Sequence, residues 1–158
     1  TKDVLTTFLS CLSGFRSHEQ KGVRVIIGAT NRPWALDPAL VRGKRFDTHI
    51  YVGLPDAAAR AHLIRAAFSK NPSLLQGSDL TQEMLVRRLD GYSCADIAAV
   101  CEKMKARALE RALEKAEHGK GEVEPVTRAD ADSVLQVYRN SVTQESLQAF
   151  RAFSEGVI

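Results

Sequence analysis

The sequence predicts an α/β fragment, a partial parallel sheet, followed by an all-α part of four helices. Two short apolar runs near the start, Val23–Ala29 and His49–Gly53, are rich in β-branched residues, as buried parallel strands are. After Asp56 the apolar residues recur instead at spacings of three and four, which marks one face of a helix. Caps and stops then cut that second part into separate helices.

Taken in order, Val4, Leu5, Phe8, Leu9 and Leu12 predict a first helix ending near Gly14. Thr1 has no cap before it, so the chain reads as cut from something longer. Residues 15–22 are polar and read as a loop. The strand at 23–29 hands over to Thr30-Asn31, a loop set by Pro33 and Pro38, and the second strand. Asp56 can cap a helix over Ala57–Phe68, which Asn71-Pro72-Ser73 breaks. A short helix follows Thr81, with Met84, Leu85 and Leu89 on one side and Gly91 as its stop.

Ser93 and Asp96 have capping-box spacing and open the longest helix, about Ala95–Glu117. Its predicted inner face is Ile97, Val100, Cys101, Met104, Ala108 and Ala112. Its outer face offers the ion pairs Glu102/Lys105, Arg107/Glu110 and Arg111/Glu114. After a connector over His118–Val126, Thr127 and Asp130 repeat the capping pattern for a helix to about Tyr138. A last helix after Thr143 carries Leu147, Phe150 and Phe153.

Composition narrows the function classes. With 44% hydrophobic and 26% charged residues the chain is globular in type. A net charge of +3 without a basic tract gives no reason to expect nucleic acid, so any anion site is local. No apolar run is long enough to span a membrane and no leader precedes the first helix, so the expected location is cytoplasmic. The three cysteines, Cys11, Cys94 and Cys101, lack CxxC spacing and are expected as buried free thiols. His18, His49, His62 and His118 have no ligand spacing, and no metal site is expected.

Two features could carry chemistry. Asn31 follows an apolar strand, and in open α/β sheets the ligand crevice lies beyond the strands' carboxyl ends. Its amide can donate to a phosphate oxygen while accepting from a water. The bland reading is an Asn that caps the turn into Arg32-Pro33. Arg42, Lys44 and Arg45 crowd one loop, and the guanidinium fork suits phosphate. The bland reading there is a solvated loop, or a pairing with Asp47. Trp34 reads as a packing anchor.

These pieces together resemble a known family. The run GATNRPWALDPALVRGKRFD resembles the sensor-1 and arginine-finger segments of AAA-type ATPases, ATNRPxxLDPALLRxGRFDR. Gly91-Tyr-Ser-Cys-Ala-Asp-Ile resembles the G-[FY]-S-G-A-D-[LI] opening of the family's lid helix. SVTQESLQAFRAF resembles the carboxyl-terminal helix of the katanin, spastin and fidgetin branch and of related segregases, and Trp34 after Asn-Arg-Pro points the same way.

The resemblance implies a P-loop NTPase-type sheet over residues 1–55, a helical lid over 56–140, and a helix over 141–158 packing back on the core. It implies Asn31 as the sensor that orients the attacking water, and Arg45 as a finger acting in trans on a neighbour's nucleotide. Thr48 stands where the family often has a second Arg, so Arg42 or Lys44 would fill that role or it is absent. Cys94 and Ala95 match the pair bordering the adenine, with Cys in place of Gly, and Leu63 matches an apolar position flanking the base. Gly91 opens the same turn. ATP and Mg²⁺ are the implied cofactors, a homo-oligomeric ring, by analogy a hexamer, the implied assembly, and a protein substrate the implied partner.

No G-x-x-x-x-G-K-[ST] loop and no strand ending in paired acids occur in the 158 residues. The chain by itself is therefore not expected to bind ATP tightly or hydrolyse it, whereas the protein it belongs to is expected to be an ATPase. The family's sheet also places a further strand between the two seen here, so both are expected to expose apolar surface when alone. The competing reading is a non-catalytic oligomerisation or regulatory module.

Overall fold

The computed structural model describes residues 2–14, 25–41, 45–76, 78–116 and 122–154. Its helices are α1 (Lys2–Gly14), α2 (Pro38–Val41), α3 (Ala57–Phe68), α4 (Gln82–Arg88), α5 (Cys94–Ala116), α6 (Arg128–Val137) and α7 (Gln144–Ser154). Single 3-10 turns lie at Pro33–Ala35 and Pro72–Leu74. The polypeptide divides into two units, one of residues 1–52 with 145–158 and one of residues 53–144.

In the first unit the expected partial parallel sheet is absent. Residues 25–30 and 47–52 belong to no regular element, and among the described residues no strand or ladder forms. Val and Ile favour extended backbone one residue at a time, whereas a strand needs a second segment to accept its hydrogen bonds. Among the described residues neither run has one, and Val25, Ile27, Ile50 and Val52 are left 76–87% exposed. Val23 and Arg24, with the expected loop at 15–22, lie outside the described residues.

Aromatic contacts organise this unit instead. Phe8 of α1 stacks on Phe46 at 6.5 Å between centroids. Trp34 meets Phe150 of α7 edge-on at 5.1 Å, and Tyr51 leans on the same ring at 6.1 Å. His49 tilts against Phe153 at 5.4 Å, while its Nε2 lies 2.9 Å from the Phe46 carbonyl. Trp34 is therefore the packing anchor its sequence position predicts.

The second unit has a continuous apolar core. Ile64 and Phe68 of α3, Leu85 of α4, all six expected inner-face residues of α5, and Ala131 and Val134 of α6 are buried. Leu74, Leu80, Leu89 and Val126 close it from the connecting segments. Helices suit this role because their backbone groups are satisfied internally, which leaves the side chains to decide the packing.

Sequence-coded caps start the helices. Asp56 Oδ1 accepts from Ala59 N at 2.7 Å, Thr81 Oγ1 from Met84 N at 3.3 Å, and Thr127 forms a full capping box with Asp130. Gly91, at φ +79°, supplies the left-handed turn that lets the chain reverse into α5. Buried arginine stitches the elements together. Arg60, 8% exposed, donates from Nε to Val86 O at 3.0 Å and from Nη1 to Pro55 O at 2.8 Å, and pairs with Asp90 at 2.9 Å.

Two of the three expected ion pairs on α5 are present, Lys105–Glu102 at 2.6 Å and Arg107–Glu110 at 2.9 Å. Arg111 departs from expectation. It turns inward to Asp130 at 3.0 Å, Thr127 Oγ1 at 3.2 Å and the Pro125 carbonyl at 3.0 Å. A buried carboxylate and a carbonyl hold a guanidinium better than an exposed glutamate one turn away.

Candidate functional site

Asn31 and Arg45 belong to the first unit, and Leu63, Gly91, Cys94 and Ala95 to the second. Asn31 is exposed at the bend that follows residues 25–30. The turn there is closed by Thr30, whose Oγ1 accepts from Arg32 N at 3.0 Å. Thr30, not Asn31, therefore does the local capping that the bland reading gave to the Asn.

Arg45 is half-buried, and its Nη1 donates to the Ala39 carbonyl at 2.7 Å. Phe46 N donates to Leu40 O at 3.0 Å, and Asp37 Oδ1 caps Ala39 N at 2.8 Å. The Arg45 head thus rests against the short helix α2. Arg42 and Lys44 lie outside the described residues.

Gly91, Cys94 and Ala95 share the turn that opens α5, and Leu63 lies on α3, which packs against α5. Leu63 is half-buried, while Cys94 and Ala95 are exposed. The cysteine expectation therefore needs correction: Cys11 and Cys94 are exposed, and Cys101 alone is buried. Cys101 sits on the inward face of α5, whereas Cys94 is in its first turn, ahead of the buried stripe.

The adjacent Asp96 is 4% exposed and collects an unusual set of donors. Its Oδ2 accepts from Ser93 Oγ at 2.7 Å and Ser93 N at 3.3 Å, the expected capping box. The same oxygen accepts from Ser141 Oγ at 2.7 Å and Ser141 N at 3.3 Å, and Oδ1 accepts from Tyr138 Oη at 2.9 Å. Burial by itself would raise the Asp96 pKa, but the bonds from Ser141, Ser93 and Tyr138 together outweigh it and hold the carboxyl below its ordinary 3.8. The bond to Asp96, then burial, keeps the Tyr138 hydroxyl protonated above its usual range. Asn140 Nδ2 donates to the Gly91 carbonyl at 2.7 Å.

Sequence reasoning found Ser93 and Asp96 through their spacing but not Tyr138, Asn140 or Ser141. Those three lie more than forty residues away in sequence, and no local pattern links them to the turn.

The fit of a nucleotide can be judged from these side chains. Leu63, Cys94 and Ala95 are small to medium, apolar or weakly polar and at least partly exposed, which suits the flank of a purine. The neighbouring Asp96 carboxylate is buried and engaged, so it does not place a bare negative charge there. Among the described residues no three His, Cys, Asp or Glu side chains gather as a cation site, so none is assigned to Mg²⁺. None of the described helices is long and apolar enough to cross a membrane.

Comparison with known proteins gives this arrangement a class. Residues 1–54, the stretch holding Asn31 and Arg45, match the family described as ATPase family associated with various cellular activities (AAA). The chain belongs to the AAA ATPase family. Over 98% of its length it is 32% identical to the Cell division cycle protein 48 homolog of Archaeoglobus fulgidus. Over 72% it is 37% identical to the human ATPase family gene 2 protein homolog A, and over the same share 40% identical to ATPase family gene 2 protein of Saccharomyces cerevisiae. These relatives speak for the wider family and lend no support to the katanin-like branch. The chain spans only 12–21% of their lengths.

Proposed function

We propose that this chain is the sensing and completing part of an ATP-hydrolysing ring motor, by analogy a hexamer, that remodels protein substrates in the cytoplasm. In this reading residues 1–55 belong to the nucleotide-binding subdomain, 56–140 form the lid, and 141–158 return to the core. The observation that carries it is the AAA family match over the stretch that contains both Asn31 and Arg45.

Bound ATP, with Mg²⁺, supplies the phosphoryl group that passes to water. Asn31 orients that water, accepting a hydrogen bond from it through the amide oxygen while the amide NH₂ donates to a phosphate oxygen. Arg45 exchanges its bond to the Ala39 carbonyl for the terminal phosphate of a neighbouring subunit and offsets the charge that builds there. Leu63, Cys94 and Ala95 flank the base.

The cis and trans roles make a sharp prediction for the full-length protein. Asn31→Ala and Arg45→Ala should each bind ATP and fail to turn it over, with Arg45→Ala losing about 10³-fold in rate. Mixing the two inactive proteins should restore activity, because about a quarter of interfaces in a randomly assorted ring then pair an intact Asn31 with an intact neighbouring Arg45. No recovery, in rings shown to exchange subunits, would defeat the trans assignment. Undiminished turnover by Arg45→Ala would overturn the finger assignment, and absence of turnover in the native full-length protein would leave it as a non-catalytic module.

A further inference from the structure

A capping box needs only Ser93 and Asp96, yet Asp96 takes three more donors from far down the chain. All three come from the connector between α6 and α7, through Tyr138 and Ser141. The same connector makes a second, separate bond at the other end of the turn, from Asn140 Nδ2 to the Gly91 carbonyl. The Asn140 amide is itself held at both ends, because its Oδ1 accepts from Val142 N at 2.9 Å. The segment 138–142 thus grips the turn at Gly91 and at Asp96, and between the two grips lie Cys94 and Ala95.

We infer that Tyr138, Asn140 and Ser141 are positioning residues for the nucleotide base. They fix the backbone that presents Cys94 and Ala95, so that the base meets a surface already ordered. This rests on the reading of Leu63, Cys94 and Ala95 as the base flank. Gly91 at φ +79° makes the grip worthwhile, since a glycine has more backbone freedom to lose on ordering than any other residue. A ligand that binds an already ordered turn avoids the entropy of ordering it. The effect should therefore fall on affinity and not on the chemical step.

The test uses the full-length protein, with ADP affinity by calorimetry beside steady-state ATP turnover. Asn140→Asp is nearly isosteric. It keeps the acceptor for Val142 N but sets an oxygen against the Gly91 carbonyl in place of the donor. Ser141→Ala removes a hydroxyl bond to Asp96, and Ser141→Thr restores it. The expected result for Asn140→Asp and Ser141→Ala is a KM for ATP and a Kd for ADP raised about three- to tenfold, the worth of one hydrogen bond. In both, kcat should stay within about twofold, and Ser141→Thr should behave as the native protein.

Ala95→Trp serves as the control, because it fills the base flank directly. Weaker ADP binding in Ala95→Trp with unchanged binding in Asn140→Asp and Ser141→Ala would overturn the positioning role alone. Unchanged binding in Ala95→Trp would overturn the base-flank reading, and the positioning role with it. A fall in kcat at unchanged KM in Asn140→Asp would also count against the inference. Should Asn140→Asp fail to fold, Tyr138→Phe, which removes a single hydroxyl from Asp96, provides the same comparison.

Discussion

Every buried side chain among the described residues lies between Pro55 and Val134, and none comes from residues 25–52 or 145–154. The two regions do not differ in the apolar residues they carry. They differ in what those residues can pack against. In the second unit, α3, α4, α5 and α6 close their own backbone hydrogen bonds and bring their apolar faces together. In the first, the apolar runs form no regular element and would depend on a neighbouring segment for both pairing and cover. A helix carries its backbone partners within itself, and a strand does not.

The largest effect that could break this contrast is core truncation. Ile97→Ala, at a fully buried position of α5, should cost about 2–5 kcal/mol in urea unfolding. Ile27→Ala, at a position 87% exposed, should stay within about 0.5 kcal/mol. Equal costs at the two sites would mean that the first unit buries its apolar run after all.

A smaller effect sharpens the role of the polar centre in the second unit. The Asp96 carboxyl titrates below its ordinary 3.8 when folded, so its contribution is complete above that value and is lost as the pH falls through the folded pKa. The stability gap between the native chain and Asp96→Asn should accordingly be flat above about pH 4 and narrow in more acidic solution. A gap that widened on acidification would contradict the hydrogen-bonded carboxylate.

The mildest test removes no interaction at all. Burial, only partly countered by Lys105 and reinforced by Glu102, pushes the Cys101 thiol up to about 11. A maleimide at neutral pH should therefore label the exposed Cys11 and Cys94 and spare Cys101 until urea unfolds the second unit. Early labelling of Cys101 would show that unit to be looser than its core implies.

Much of the helical part is legible in the sequence. The inner face of α5 could be listed residue by residue, because Ile97, Val100, Cys101, Met104, Ala108 and Ala112 follow the helical period without interruption. The caps at Asp56 and Thr127 were equally legible, since each involves residues three apart. The sheet was not. Val23–Ala29 has the right residues for a buried strand, but nothing in a run of Val and Ile states whether a partner lies beside it. The exposure of Cys94 was missed for a related reason, as it stands one turn ahead of the residues that define the buried stripe.

The candidate site divides in the same way. Asn31, Arg45 and the turn from Gly91 to Asp96 stood out as contiguous patterns, and the AAA family match covers the first two. The inward turn of Arg111 to Asp130 and the grip of Tyr138, Asn140 and Ser141 on Gly91 and Asp96 did not. Periodicity, caps and turn glycines are set by residues within one helical turn of each other, so the sequence by itself determined where the helices begin, end and face. Which distant donor completes a buried carboxylate, and whether an extended run finds a neighbour, depends on segments that meet only after the chain has folded. Those were decisions of the tertiary structure.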